Sequence, residues 1–330
     1  MAISGNFVVS SLPDYIQNNK EMLLKNFGLV GTATRKRIGL QTGIKKDAYL
    51  NYLDVNPTLQ DGLGCGFNPL GTATLTDRVI NTAIIKVDMT ICPDNLIGKY
   101  HEYLVKINAD ENGLPFEQYL AEGLVNSINK KIEKLIWLGD TSSSDTDLKW
   151  IDGFKVLTDT SEFTNKFTIP NGTSAYDGIK SVYMAMTEDT LERGAEIYVS
   201  PAIYRQFVQE LVDRNYVHYN PGMSASDEFL FPGTDVKVVK TPGLAGSLLA
   251  LGTFPQNLVY GCDMEGSMEN IKVIYDEKTE EYAVKVKWNS GVQVAFPSEV
   301  VRAVFAATPV SPASLGASVA QIATNTTPSE

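Results

Sequence analysis

The stretch 114–140, LPFEQYLAEGLVNSINKKIEKLIWLGD, carries the longest uninterrupted helical pattern in the chain. Phe116, Leu120, Leu124, Ile128 and Ile132 recur every four residues, and Tyr119, Val125, Leu135 and Ile136 widen them into one apolar stripe. Glu117, Glu122, Asn126, Asn129, Lys130, Glu133 and Lys134 fall on the other side. Pro115 suits a first turn, where no N–H is required of it. Gly139 is expected to end the helix in the left-handed conformation. At 1.5 Å per residue the helix is a rod of roughly 36 Å. A side that carries Lys130, Lys131, Glu133 and Lys134 is too charged for a helix enclosed in one domain, so a sheet of the same chain is expected to cover one side only.

Toward the N-terminus the pattern weakens. Ser11-Leu12-Pro13-Asp14 reads as a helix start, and Ile16, Leu23 and Phe27 give a thin apolar stripe that ends at Gly28. The following residues, to Leu50, are rich in Gly and Thr and lack a period, so this arm needs another surface to lie on. From Asn56 to Arg78, Gly62, Gly64, Gly66 and Gly71 with Pro57 and Pro69 indicate an irregular or hairpin-like excursion. Ile85 to Ile91 alternates apolar and polar residues and reads as a strand, with Pro93 beyond it. Lys99 to Ile107 reads as another strand, before a polar loop and the long helix.

Toward the C-terminus, Asp140 to Asp147 is polar and is expected to be a mobile loop, and Ile151 to Leu157 turns apolar again. A second part is expected to begin at Ser174, which caps a short amphipathic helix bearing Tyr176, Ile179, Val182, Tyr183 and Met186. Glu196 to Ser200 is a strand. Ser200 then caps a helix with Pro201 at its first position and Ile203, Tyr204, Phe207, Val208, Leu211 and Val212 on its buried face. The remainder is read as β: 235–240, 257–260, a hairpin of 271–275 with 282–288, a further strand through Val292, Val294 and Phe296, and a buried pattern at 300–306. The last residues, from Thr308, carry few bulky apolar side chains and are expected to be loosely held.

Composition narrows the function. The 330 residues are 43% hydrophobic and 20% charged, as in an ordinary globular protein. No apolar run is long enough to span a membrane, and the N-terminus lacks the pattern of a signal peptide. Cys65, Cys92 and Cys262 are far apart and odd in number, which suggests reduced thiols rather than a disulfide frame. A net charge of −11 argues against a nucleic-acid reader, Arg35 to Arg37 and Lys45-Lys46 being local basic clusters. The search for chemistry finds nothing convergent. His101 and His218 lack metal-ligand spacing. Gly62-Leu63-Gly64-Cys65-Gly66 has no strand before it or helix after it to make a phosphate loop. Glu277, Glu280 and Glu281 read as a solvated turn. No catalytic, cofactor or metal residue is assigned. An arm and an excursion with little core of their own point instead to an obligate interface, most simply with identical copies.

Two local patterns carry a resemblance. One is the long helix running into Leu138-Gly139-Asp140, a polar loop and Ile151-Asp152-Gly153-Phe154; the other is Tyr198-Val199-Ser200-Pro201 with the helix to Leu211-Val212-Asp213. In this order they resemble the major capsid proteins of tailed bacteriophages, the HK97-like fold. The resemblance implies an α+β chain with an N-terminal arm (1–50), an extended β-hairpin loop (51–93), a peripheral domain (94–173) with spine helix 114–138, and an axial domain (174–289). A return strand of the peripheral domain (290–307) and a tail (308–330) would follow. The charged side of the helix would face the inside of a shell or a neighbouring subunit. It further implies a structural, non-enzymatic subunit that self-assembles as hexamers and pentamers into an icosahedral shell around double-stranded DNA held without sequence specificity. Portal, scaffolding and decoration proteins would be its partners, with no membrane involved. Its place would be the virion capsid, after assembly in the cytoplasm of a bacterial host. Arg35, Arg37, Arg78, Lys86 and Asp88 are the residues expected at contacts between subunits. Two other readings stay open at this level: an encapsulin-type compartment, and an α/β enzyme or small-ligand binding protein.

Overall fold

The structure, a computed structural model, describes residues 33–44, 46–60, 70–92, 116–214, 228–263, 272–276 and 281–309. The expected arm helix, the strand at 99–107, both histidines, Cys65, the glycine-rich loop and the tail from residue 310 lie outside them. In chain order come β1 (Gly39–Gln41), β2 (Asp47–Asn56), β3 (Thr72–Asn81), β4 (Ala83–Ile91), α1 (Phe116–Leu138), α2 (Phe154–Leu157) and β5 (Lys166–Ile169). Then follow α3 (Ala175–Met184), α4 (Glu188–Glu192), β6 (Glu196–Val199), α5 (Pro201–Asp213), β7 (Glu228–Leu230) and β8 (Lys237–Lys240). The last strands are β9 (Leu249–Thr253), β10 (Leu258–Gly261), β11 (Lys272–Asp276), β12 (Glu281–Val294) and β13 (Val301–Phe305).

From Val125 onward the apolar stripe of α1 does what its spacing predicts. Val125, Ile128, Ile132, Leu135 and Ile136 are buried with Trp137, and each such side chain contributes about 1.5–3 kcal/mol on leaving water. They pack on one face of a five-stranded sheet through Ile85, Val284, Val286 and Trp288. β12 is the backbone of this sheet. It pairs antiparallel with β4 along residues 282–290, with β11 along 281–285 and with β10 along 291–294. β1 adds parallel to β10.

A second sheet of six strands runs β5-β13-β9-β6-β8-β7. One face, with Ile197, Val199, Ala250 and Ala303, packs under α3 and α5; the other, with Tyr198 and Leu251, joins the core around α1. Both predicted caps hold: the Ser174 hydroxyl accepts from Asp177 N, and Ser200 accepts from Ile203 N with Pro201 in the first turn. Buried Glu210 on α5 accepts from Ala175 N and Tyr176 N at 2.8 and 2.9 Å, satisfying the first orphan donors of α3.

Five expectations change. Gly139 is not a left-handed terminator, because it is absent from the positive-φ glycines of the described residues. It is small because a Cβ there would lie 2.4 Å from Ile151 O and 2.6 Å from Leu135 O. The loop expected to be mobile is tied down: Asp140 accepts from Ser142 N, Asp152 accepts from Thr141 N, and Asp140 N donates to Leu148 O. The two strands expected at 282–288 and from Val292 are one strand, because Gly291 lets β12 continue past Asn81, whose carbonyl would lie 2.4 Å from a Cβ. The return strand expected within 290–307 is β13, and it joins the six-stranded sheet, while β10, β11 and most of β12, expected with the axial part, lie in the sheet under α1. Asn129 and Glu133, expected on the solvated side of the helix, are buried.

Candidate assembly interface

The excursion is a hairpin. β2 and β3 pair in register from Asp47↔Asn81 to Asn56↔Thr72, and no third strand among the described residues joins them. Alternation divides the ribbon into two faces. At its base, Ile80 is fully buried against Ile44 and Val259, with Ala48 and Leu50 packed around them. The opposite face carries Tyr49, Asn51 and Val55 on one strand and Leu75 and Asp77 on the other. Tyr49, Val55 and Leu75 are 62%, 54% and 65% exposed, and Leu59 and Leu70 toward the tip are exposed as well. A two-stranded ribbon is marginal by itself. One that holds a row of large apolar side chains in water is a surface built to be covered. The signal is present in the alternation of Tyr49, Asn51, Leu53 and Val55, but the glycine-rich residues beyond it pull the sequence reading toward irregular structure.

The residues expected at subunit contacts have diverse settings. Arg35 is buried, its guanidinium 4.9 Å from the Tyr260 ring centroid. Arg37 pairs with Glu196 at 2.9 Å and with Glu228, which also meets Lys237 at 3.6 Å. The hydrogen bond from Arg37 holds the Glu228 carboxyl below the usual glutamate range, against the opposing effect of burial. Arg78 anchors the base of the hairpin: it donates to Glu162 at 2.8 Å and Gln293 at 3.3 Å and lies over the Phe163 ring. All three arginines thus have partners within this chain. Lys86 and Asp88 differ. They pair with each other at 2.8 Å on the exposed face of β4, with Lys287 and Lys285 as their cross-strand neighbours. Ile84, 60% exposed, shares that face.

Sequence reading misses a polar knot at the foot of the arm. Thr34, in the turn before β1, donates from its hydroxyl to Glu133 and accepts from the Trp137 indole N–H at 2.7 Å. It joins the arm to the helix across the core.

No group of three or more His, Cys, Asp or Glu among the described residues is placed to hold a metal ion. No described helix is long and apolar enough to cross a membrane. A cavity of about 420 Å³ is bordered by Thr34, Lys36, Arg37, Tyr198 and Lys240. Burial pushes the Tyr198 phenol well above its usual pKa, so it stays neutral.

This architecture is similar to that of solved structures. A chain of the satellite phage P4 procapsid, in a structure that includes the size determination (Sid) protein, superposes with a TM-score of 0.55 at 11% identity, over 87% of this chain and 98% of that one. A chain from Mycobacterium phage Cain gives 0.52 at 11% identity, over 84% and 91%. The capsid of an empty GTA particle gives 0.51 at 10% identity, over 84% and 90%. The mixed α/β fold therefore matches that of chains from phage procapsid and capsid structures, over most of the length of both partners. No family model matches the sequence, and no curated protein matches it.

Proposed function

We propose that this chain is the major capsid protein of a tailed bacteriophage with the HK97-like fold, a structural subunit rather than an enzyme. The observation that carries the reading is the bare apolar face of the β2–β3 hairpin on a fold shared with procapsid and capsid chains. In this reading α1 is the spine helix and the hairpin is the extended loop. The five-stranded sheet belongs to the peripheral domain and the six-stranded sheet to the axial domain. The hairpin of one copy lies over its neighbour and hides Tyr49, Val55 and Leu75, while the arm engages another copy. Repetition of such modest contacts around five-fold and six-fold axes closes the shell.

Lys86, Asp88 and Ile84 form an exposed mixed charged and apolar patch suited to receive a neighbour. Arg35, Arg37 and Arg78 serve it indirectly by fixing the turn and the hairpin base. Double-stranded DNA fills the interior without sequence recognition, which suits a subunit of net charge −11 that must not clamp its contents. Portal, scaffolding and decoration proteins are the further partners, and the virion is its location after assembly in the bacterial cytoplasm.

Negative-stain electron microscopy of the purified full chain, produced alone and together with a scaffolding protein from the same genome, tests this. Closed shells of uniform size are expected. Shells that copurify with an enzyme cargo would assign the protein to a compartment instead, and isolated subunits under both conditions would refute a shell role.

A further inference from the structure

Two concave regions meet at the foot of the arm. One is the cavity of about 420 Å³ bordered by Lys36, Arg37 and Lys240; the other, of about 700 Å³, runs beside α1 between Lys130 and Lys134 and the turn at Pro242 and Ala245. Ala33 lines both. The carboxylate in their lining, Glu133, is buried and already accepts from Thr34. Arg37 is answered by Glu196 and Glu228. Lys36, Lys130 and Lys134 are exposed and meet no carboxylate among the described residues. In a chain of net charge −11 this is positive charge gathered at one place, and it fits an anionic partner. A nucleic-acid base would find nothing to stack on, because the aromatic residue in the lining, Tyr198, is buried.

The complement lies elsewhere on the same chain. α4 exposes Glu188, Asp189 and Glu192, and none of these carboxylates has a cationic partner among the described residues. Arg193, the next residue, lies instead over the Phe254 and Phe296 rings, 5.1 and 5.5 Å from their centroids. The short helix is firmly held: the Thr187 hydroxyl donates to the Glu299 carboxylate at 2.7 Å, and Thr190 bonds the same oxygen. We infer that the two concave regions together receive α4 of a second copy, with Glu188, Asp189 and Glu192 facing Lys36, Lys130 and Lys134. The five residues of α4 make a helix about 7.5 Å long, within the roughly 12 Å from Asn126 to Lys134. Ala33, Pro242 and Ala245 are small and leave room for it. Within one subunit these lysines and carboxylates stay unpaired, so their complementarity is available only between copies. The contact is heterologous: each copy offers its concave face to one neighbour and its α4 to another, an arrangement that closes into rings. The inference rests on the shell reading, since it requires further copies.

The test mixes isotopically light and heavy wild-type full chains before assembly and treats the product with a water-soluble carbodiimide, which joins an amine only to a carboxylate in contact with it. The expected links run from Lys36, Lys130 or Lys134 to Glu188, Asp189 or Glu192, with mixed-isotope pairs as frequent as like pairs. Links in like-isotope pairs only would place the contact within one subunit and overturn the inference, as would assembled particles without any such link. Charge reversal adds a second arm. Lys130→Glu with Lys134→Glu, and separately Glu188→Lys with Glu192→Lys, should leave the circular dichroism spectrum unchanged and reduce the protein recovered in particles several-fold. All four changes in one chain should restore it. Reversals that assemble as well as the wild type, or no restoration in the combined chain, would overturn the inference and leave the shell reading standing. A wild type that never leaves its monomer mass, alone or with a scaffolding protein, would overturn both.

Discussion

Thr34 and Glu133 are 99 residues apart in sequence and meet in the core, where the threonine hydroxyl donates to the carboxylate and accepts the Trp137 indole N–H. Thr34→Val keeps the shape and removes both bonds, leaving a buried carboxylate and a buried indole donor with fewer partners. The expected cost is roughly 2–4 kcal/mol, read as a lower urea midpoint. Lys36→Ala, two residues on and exposed, should change stability by no more than about 0.5 kcal/mol.

Gly139 and Gly153 touch across the loop that closes α1: Gly153 N donates to Gly139 O at 2.9 Å, and a Cβ on Gly153 would lie 2.7 Å from Gly139 N. Backbone, not a yielding side chain, occupies the space at both positions. Gly139→Ala and Gly153→Ala should each lower stability by about 1–3 kcal/mol or more. A neutral effect on the thermal midpoint of either variant would show that the contact is looser than these distances imply.

Ile128 is 4% exposed in the stripe, while Lys130, about 200° further round the helix, is exposed. Ile128→Asp places a charge in an apolar core with no partner and should abolish folding. Leu124→Asp should act in the same direction. Lys130→Ala should leave the circular dichroism spectrum and the midpoint unchanged, and any effect it has should appear in assembly.

Glu228 is held below its ordinary pKa by Arg37. The folded value is lower than the unfolded one, so its stabilisation is complete above the unfolded pKa and is lost as pH falls through the folded value. Side-chain exposure of 36% makes the effect small, under about 1 kcal/mol after solvent screening. Glu228→Gln should therefore reduce the loss of thermal midpoint on acidification from about pH 5 to pH 3, with little change in its pH dependence near neutrality.

Local periodicity makes much of this fold readable. The helix, the cap–proline start at Ser200-Pro201 and the alternation of Ile85 to Ile91 each depend on neighbours a few residues away. Sheet membership depends on partners far along the chain, so β13 reads as a buried strand but carries no mark of joining β5 and β9. Glu133 reads as solvated because its partner, Thr34, lies in the turn before β1, and nothing in the helix pattern signals it. Arg35, Arg37 and Arg78 draw attention as cations, yet their carboxylate, amide and aromatic partners are supplied by other elements of the same chain. The exposed face of the hairpin is the opposite case. Its alternation is legible, but only the exposure of Tyr49, Val55 and Leu75 in the folded chain shows it to be bare.

Light-scattering molar mass of the purified full chain, beside that of Leu75→Asp, addresses the shell role most directly. The wild type should form particles of megadalton mass, alone or with a scaffolding protein. Leu75→Asp, altered at a residue 65% exposed in the subunit, should stay folded and fail to form them. A wild-type protein that remains at its monomer mass of 36.1 kDa under both conditions, or a variant that assembles as well as the wild type, would contradict the shell role and the hairpin's part in it.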